Sequence, residues 1–147
     1  MTITDIANIN WKNGIDWCPD IETGHEQIDG QHRHIFKLLG DLVEECENKK
    51  NINTLKILNF LADYVVEHFA DEEALQRQSK YPKFEWHREQ HQFYINEFKK
   101  LNSEFAANGN SPKFTLDMNN TVISWIVRHI KSADVELGKF LNANRGA

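Results

Sequence analysis

Four stretches of this 147-residue chain carry apolar residues at alternating steps of about four and three, and in each of them histidine or glutamate takes over part of the stripe. The first runs Ile28, His32, Ile35, Leu39, Leu42, Cys46, and the second Leu58, Leu61, Val65, His68, Glu72, Leu75. The third runs His87, His91, Tyr94, Phe98, Leu101, Phe105, and the fourth Met118, Val122, Trp125, His129, Ala133, Leu137, Phe140. That period turns one face of an α-helix toward a core. The chain is therefore expected to be all-α and to bury ionisable side chains among its apolar ones.

The spacing predicts helices over about 24–48, 52–79, 82–107 and 112–141. Thr23 and Glu26 stand at capping-box spacing ahead of the first. Pro82 ends the second and opens the third, Gly109 ends the third, and Ser111 and Pro112 supply an N-cap and a first helical residue for the fourth. Connections this short return each helix beside the one before it, which predicts an antiparallel up-down-up-down four-helix bundle. Residues 1–23, with Trp11, Trp17 and Pro19, lack a helical period and are expected to form an irregular N-terminal arm packed on the bundle. The length suits a single domain over 1–147, and no internal repeat or low-complexity tract interrupts it.

In that topology the polar positions meet. His32 lies near the start of the first helix, His68 and Glu72 near the end of the second, His87 and His91 near the start of the third, and His129 toward the end of the fourth. One layer near one end of the bundle thus collects five imidazoles and at least one carboxylate. A buried polar group without a partner costs about 1–3 kcal/mol, and a shared metal removes that cost for the whole set. His68 and Glu72, like His87 and His91, are four residues apart and about 40° round a helix, so each pair is a chelating element. A single HxxxH or HxxxE arises by chance in many helical proteins. Five of seven histidines converging from four helices is poorly explained that way. His25 and His34 fall off the stripes and are expected to face solvent or a loop. The donor set exceeds what one tetrahedral zinc uses, so two metals are expected, and imidazole with carboxylate suits iron, manganese, zinc or copper.

The segments Gly24 to His32, His68 to Glu73, His87 to His91 and His129 to Asp134 resemble, in order, the signature segments of hemerythrins, particularly bacterial single-domain ones. The resemblance covers about residues 11–141. It implies a di-iron site with His87, His91 and His129 on one iron and His32 and His68 on the other. Glu72 and Asp134 would bridge the two irons together with an oxo or hydroxo group. Asp134 is nominated by the resemblance alone, because five residues past His129 it lies roughly 140° round a regular α-helix, off the stripe. Glu73 points about 100° away from Glu72 and is expected to be solvated. The division of ligands leaves one iron with an open position. The resemblance thereby implies reversible dioxygen binding, for transport, storage or delivery, and no enzymatic activity.

Ile35, Phe69, Trp125, Ile126 and Ile130 lie within about one turn of the histidines and are expected to wall an apolar oxygen pocket. The rival is a di-iron enzyme acting on peroxide, nitric oxide or dioxygen. Ferritin-type bundles build such sites from glutamates and ExxH elements, and the ExxH here, Glu22 to His25, sits at a glycine-containing helix start. A sensor or delivery role would need a separate protein as partner or acceptor. A net charge of −5, with lysines clustered only in pairs such as Lys49 with Lys50 and Lys99 with Lys100, argues against nucleic acid as a partner. No apolar run reaches the length of a membrane span and the start lacks signal-peptide character, so membrane insertion is not expected and a cytoplasmic location is. Cys18 and Cys46 lack a CxxC spacing and suggest neither a disulfide framework nor a zinc knuckle. Cys46, on the first stripe, is expected to be a small core residue.

Overall fold

The computed structural model describes residues 19–48 and 53–144. The proposed arm through residue 18, with Trp11, Trp17 and Cys18, lies outside them. A short 3-10 turn at Pro19–Ile21 leads into an all-α four-helix bundle. Its helices are α1 (Glu26–Asn48), α2 (Thr54–Ser79), α3 (Phe84–Asn108) and α4, which runs on from Pro112 in five consecutive segments. Those segments are α-helical at Pro112–Asp117, π-helical at Met118–Ile123, α-helical at Ser124–His129, π-helical at Ile130–Asp134 and α-helical at Val135–Ala143.

Local chemistry sets the ends of these helices, and in two places it differs from the sequence expectation. Ahead of α1, Asp29 and not Glu26 closes the turn: its carboxylate accepts from the Thr23 N–H at 2.9 Å, the Thr23 hydroxyl at 2.8 Å and the Gly24 N–H at 3.2 Å. His25 then serves the first turn, its Nδ1 accepting from the Ile28 N–H at 3.4 Å, while His34 is solvent-exposed as expected. Between α2 and α3, Lys80 takes a left-handed conformation (φ 57°) and the Tyr81 N–H reaches back to the Gln76 carbonyl at 2.9 Å. That reversal uses up the next residues, so Pro82 sits in the turn and α3 opens two residues later, at Phe84. Gly109 ends α3 at φ 67°, a conformation that favours glycine, and the Ser111 hydroxyl accepts from the Phe114 N–H at 3.0 Å with Pro112 at the first helical position.

Burial follows the stripes. A large apolar cluster fills most of the bundle, joining Ile35, Leu39 and Leu42 of α1, Leu58, Leu61 and Val65 of α2, Phe98, Leu101 and Phe105 of α3, and Phe114, Met118 and Val122 of α4. Cys46 belongs to it, with its sulfur 3.8 Å from that of Met118. A smaller cluster of Ile28, Tyr81 and Leu137 closes the opposite end. Along α1 the order is Ile28, His32, Ile35, and along α4 it is Ile130, Asp134, Leu137. The polar layer therefore lies between two apolar plugs, both of which exclude water from it. Beside the smaller plug, Gly138 lets Thr23 lie against α4: a Cβ at this position would come within 2.2 Å of the Thr23 carbonyl oxygen.

Candidate metal centre

Each polar residue of the stripes is carried inward by the helix that supports it. His32, Glu72 and His87 are fully buried, His68, His91 and Asp134 are 1% exposed and His129 is 3% exposed. One donor atom from each of Glu72, His87, His91, His129 and Asp134 lies within 4.8 Å of the others, and so does one from each of His32, His68, Glu72 and Asp134. The two sets share their carboxylates. Glu72 presents Oε1 to His87 Nε2 at 2.8 Å and to His91 Nε2 at 3.2 Å, and Oε2 to His68 Nε2 at 3.1 Å. Asp134 presents Oδ1 to His87 Nε2 at 2.9 Å and His129 Nε2 at 3.0 Å, and Oδ2 to His32 Nε2 at 3.0 Å.

These are ion-pair distances, yet neither oxygen of Glu72 or Asp134 has a partner aligned as a hydrogen bond. The Nε2 atoms of His32, His68 and His91 are equally without one. Side chains that crowd together but do not point along each other's N–H directions are aimed at points between them. Buried donors in that state are costly unless a cation takes them. Imidazole nitrogen with carboxylate oxygen is the donor chemistry of iron, zinc, copper or manganese. The residues present thus fit a metal centre.

Asp134 reaches this layer because of the π-helical stretch at Ile130–Asp134. There the Val135 N–H reaches back five residues, to the Ile130 carbonyl. A turn that is one residue wider brings position i+5 round close to position i. His129 and Asp134 are five apart, so both face the centre.

The stretch from residue 23 to residue 141 matches the model of the hemerythrin HHE cation binding domain. The chain belongs to the hemerythrin family. It is 25% identical to the bacteriohemerythrin of Pseudomonas aeruginosa over 118 residues, which is 80% of this chain and 75% of that protein. It is 30% identical to the bacteriohemerythrin of Methylococcus capsulatus over 115 residues, 78% of this chain and 86% of that protein. The myohemerythrin of Sipunculus nudus is 25% identical over 118 residues, 80% of this chain and 86% of that protein. Membership supports a hemerythrin-type metal-binding role for the chain, and the buried His/Glu/Asp cluster is able to hold metal.

Around this hemerythrin centre a further ring of residues sets the histidines, and sequence patterning did not reveal it. His68 Nδ1 faces Gln31 Oε1 at 2.6 Å, and the Gln31 amide in turn donates to Asp71 at 2.9 Å. His129 Nδ1 faces Gln90 Oε1 at 2.8 Å, and His91 Nδ1 faces Glu73 Oε2 at 3.0 Å. Glu73 is thus not a solvated bystander, since its side chain is only 17% exposed. An acceptor at Nδ1 fixes the proton there and leaves Nε2 free to bind a metal. The signal available in the sequence was adjacency: Gln31 precedes His32, Gln90 precedes His91 and Glu73 follows Glu72, each on the helix flank next to a stripe.

Electrostatics in the layer follow from the same distances. Burial and the Asp134 charge push the Glu72 carboxyl up, but His68 and His87 outweigh them and hold it well below the usual carboxylate range. Burial opposes ionisation of Asp134 too, and His129, His32 and His87 reverse the sign. For His87 burial lowers the pKa, yet the Asp134 and Glu72 carboxylates, 2.9 and 2.8 Å from its Nε2, outweigh burial and raise it to about 10. His129 goes the other way, burial dominating and lowering it.

Of the five residues expected to wall an oxygen pocket, Ile35, Phe69, Ile126 and Ile130 are buried in the large apolar cluster. Phe69 stacks on the His91 ring with centroids 3.8 Å apart and an interplanar angle of 4°. Trp125 is only half-buried and lies flat on His129, at 4.7 Å and 10°, with Tyr94 stacked beyond it at 4.5 Å. No described helix is long and apolar enough to cross a membrane.

Proposed function

We propose that this chain holds two iron ions and binds dioxygen reversibly at one of them. The observation that carries the reading is the unequal division of imidazoles between two donor sets that share both carboxylates. His87, His91 and His129 stand on one side of Glu72 and Asp134, and His32 and His68 on the other. His87, His91 and His129 would hold one ion, His32 and His68 the second, with Glu72 and Asp134 bridging beside an oxo or hydroxo group. The second ion then has one protein donor fewer, which leaves room for a small ligand. Bound iron would supply the electrons for reversible dioxygen binding.

The protein's part is enclosure and restraint. Ile35, Phe69, Ile126 and Ile130 place hydrocarbon against the layer and exclude the water and anions that would displace a bound ligand. The Nδ1 protons of His68, His91 and His129 are directed outward to Gln31, Glu73 and Gln90, so these imidazoles are not poised to deliver protons. Both features favour a carrier or store, with or without a separate protein acceptor, over an enzyme. The test is elemental analysis followed by an optical spectrum of the reduced protein before air, after air and after oxygen is removed again. Two irons per chain and an absorption that appears with oxygen and vanishes without it are expected. Sustained oxygen consumption with a reductant, at about one turnover per second or faster, would replace the carrier by an enzyme.

A further inference from the structure

Of the three Nδ1 contacts described above, two go to neutral amide oxygens and one to a carboxylate. His91 is set apart further. Adjacent residues of α2 approach its two ring nitrogens, with Glu72 Oε1 3.2 Å from Nε2 and Glu73 Oε2 3.0 Å from Nδ1. The flat stack of Phe69 at 3.8 Å holds the ring plane between them. Glu73 comes from α2 and His91 from α3, so the pair also ties two helices together at the level of the centre.

We infer that Glu73 is a positioning residue whose negative charge, acting through Nδ1–H of His91, makes His91 a stronger metal donor than His68 or His129. The inference rests on the metal centre proposed above. A carboxylate that accepts the Nδ1 proton draws positive charge onto the imidazole and raises the basicity of Nε2, which an amide oxygen does much more weakly. A stronger donor favours the more highly charged state of the metal it holds. His91 belongs to the three-histidine set, so the charge of Glu73 is applied to the ion with the fuller ligand shell. That ion is thereby the easier of the two to oxidise.

The test compares wild type, Glu73→Gln and Glu73→Asp, all as full chains. Glu73→Gln keeps the size and an acceptor oxygen while removing the charge. Zinc affinity of the metal-free proteins, measured by chelator competition, is expected to fall 10–100-fold in Glu73→Gln and to recover at least partly in Glu73→Asp. In the iron-loaded proteins the reduction potential is expected to rise by about 59 mV for each tenfold of preferential loss from the oxidised state. A purely structural role would lower thermal stability without moving the potential. Zinc affinity and potential of Glu73→Gln both within threefold-equivalent of wild type would overturn the inference. Were the wild type to bind zinc but take up no iron pair, the di-iron reading would fail, while the zinc comparison would still decide the role of Glu73.

Discussion

Withholding metal should destabilise this bundle by an amount that can be worked from the layer itself. Seven inward atoms lack an aligned partner: His32 Nε2, His68 Nε2, both oxygens of Glu72, His91 Nε2 and both oxygens of Asp134. At about 1–3 kcal/mol each, the gross desolvation cost is about 7–21 kcal/mol. The ion-pair approaches between 2.8 and 3.2 Å recover part of it. If they recover half of the lower figure, about 4 kcal/mol remains for bound metal to supply, a large share of the roughly 5–15 kcal/mol of an ordinary domain. At about 3 °C per kcal/mol for a chain of this length, the metal-free protein should then melt about 12 °C lower. Scanning calorimetry on metal-loaded and chelator-treated protein measures this directly. The gap also has a pH dependence. His87, raised to about 10 when no metal is bound, stabilises the metal-free fold fully below its unfolded pKa near 6.5, and that contribution is lost as pH rises through about 10. A metal takes only the deprotonated imidazole, so its advantage grows over the same window and the gap should widen from about pH 6.5 to 9. A metal-free protein melting within about 3 °C of the loaded one at pH 8 would refute the reasoning.

Gly138→Ala places a methyl 2.2 Å from the Thr23 carbonyl oxygen and should cost about 1–3 kcal/mol, read as a lower Tm, with an unchanged Tm showing that Thr23 moves aside freely. Cys46, its thiol pushed up to about 11 by burial and by Glu45, should carry about a hundredfold less thiolate at pH 8 than an ordinary cysteine. In a Cys18→Ser background a thiol reagent should therefore label it at least that much more slowly folded than unfolded, and equal rates would contradict its burial. Deleting Ser132, an exposed residue of the second π-helical stretch, converts the His129-to-Asp134 spacing from five to four and should preserve metal stoichiometry, because i+4 in a regular α-helix also faces the centre. Adding one residue there should instead turn Asp134 away and lose metal; equal metal content in both variants would separate the π geometry from the site. Ile126→Ala opens the apolar wall and should speed conversion of the oxygenated form to the oxidised one in stopped-flow traces, whereas an unchanged rate would remove Ile126 from the enclosure.

What could be read without coordinates divides along a physical line. His32, His68, Glu72, His87, His91 and His129 were legible because each replaces an apolar residue at a position whose period requires burial, and helix order then fixes the level at which they meet. Helix ends were legible where one residue carries the constraint, as Gly109 and Ser111 do. They were not where the closure is made over several residues: Asp29 displaces Glu26 in the first turn because three donors of Thr23 and Gly24 converge on it. Gln31, Glu73 and Gln90 escaped for a different reason, since each serves a histidine on a neighbouring helix, and the rotation of one helix against another is not written in the period of either. Asp134 is the sharpest case. A count of 100° per residue puts it off the stripe, and family resemblance alone restored it. The count fails because the hydrogen bonds of Ile130–Asp134 reach back five residues. A wider turn gives up regular helix geometry, so something must compensate, and here the carboxylate it delivers lies among His32, His87 and His129 at about 3 Å. The irregularity and the site thus account for each other: without the π turn Asp134 would face away from the histidines, and without the histidines nothing in the layer would favour burying its charge.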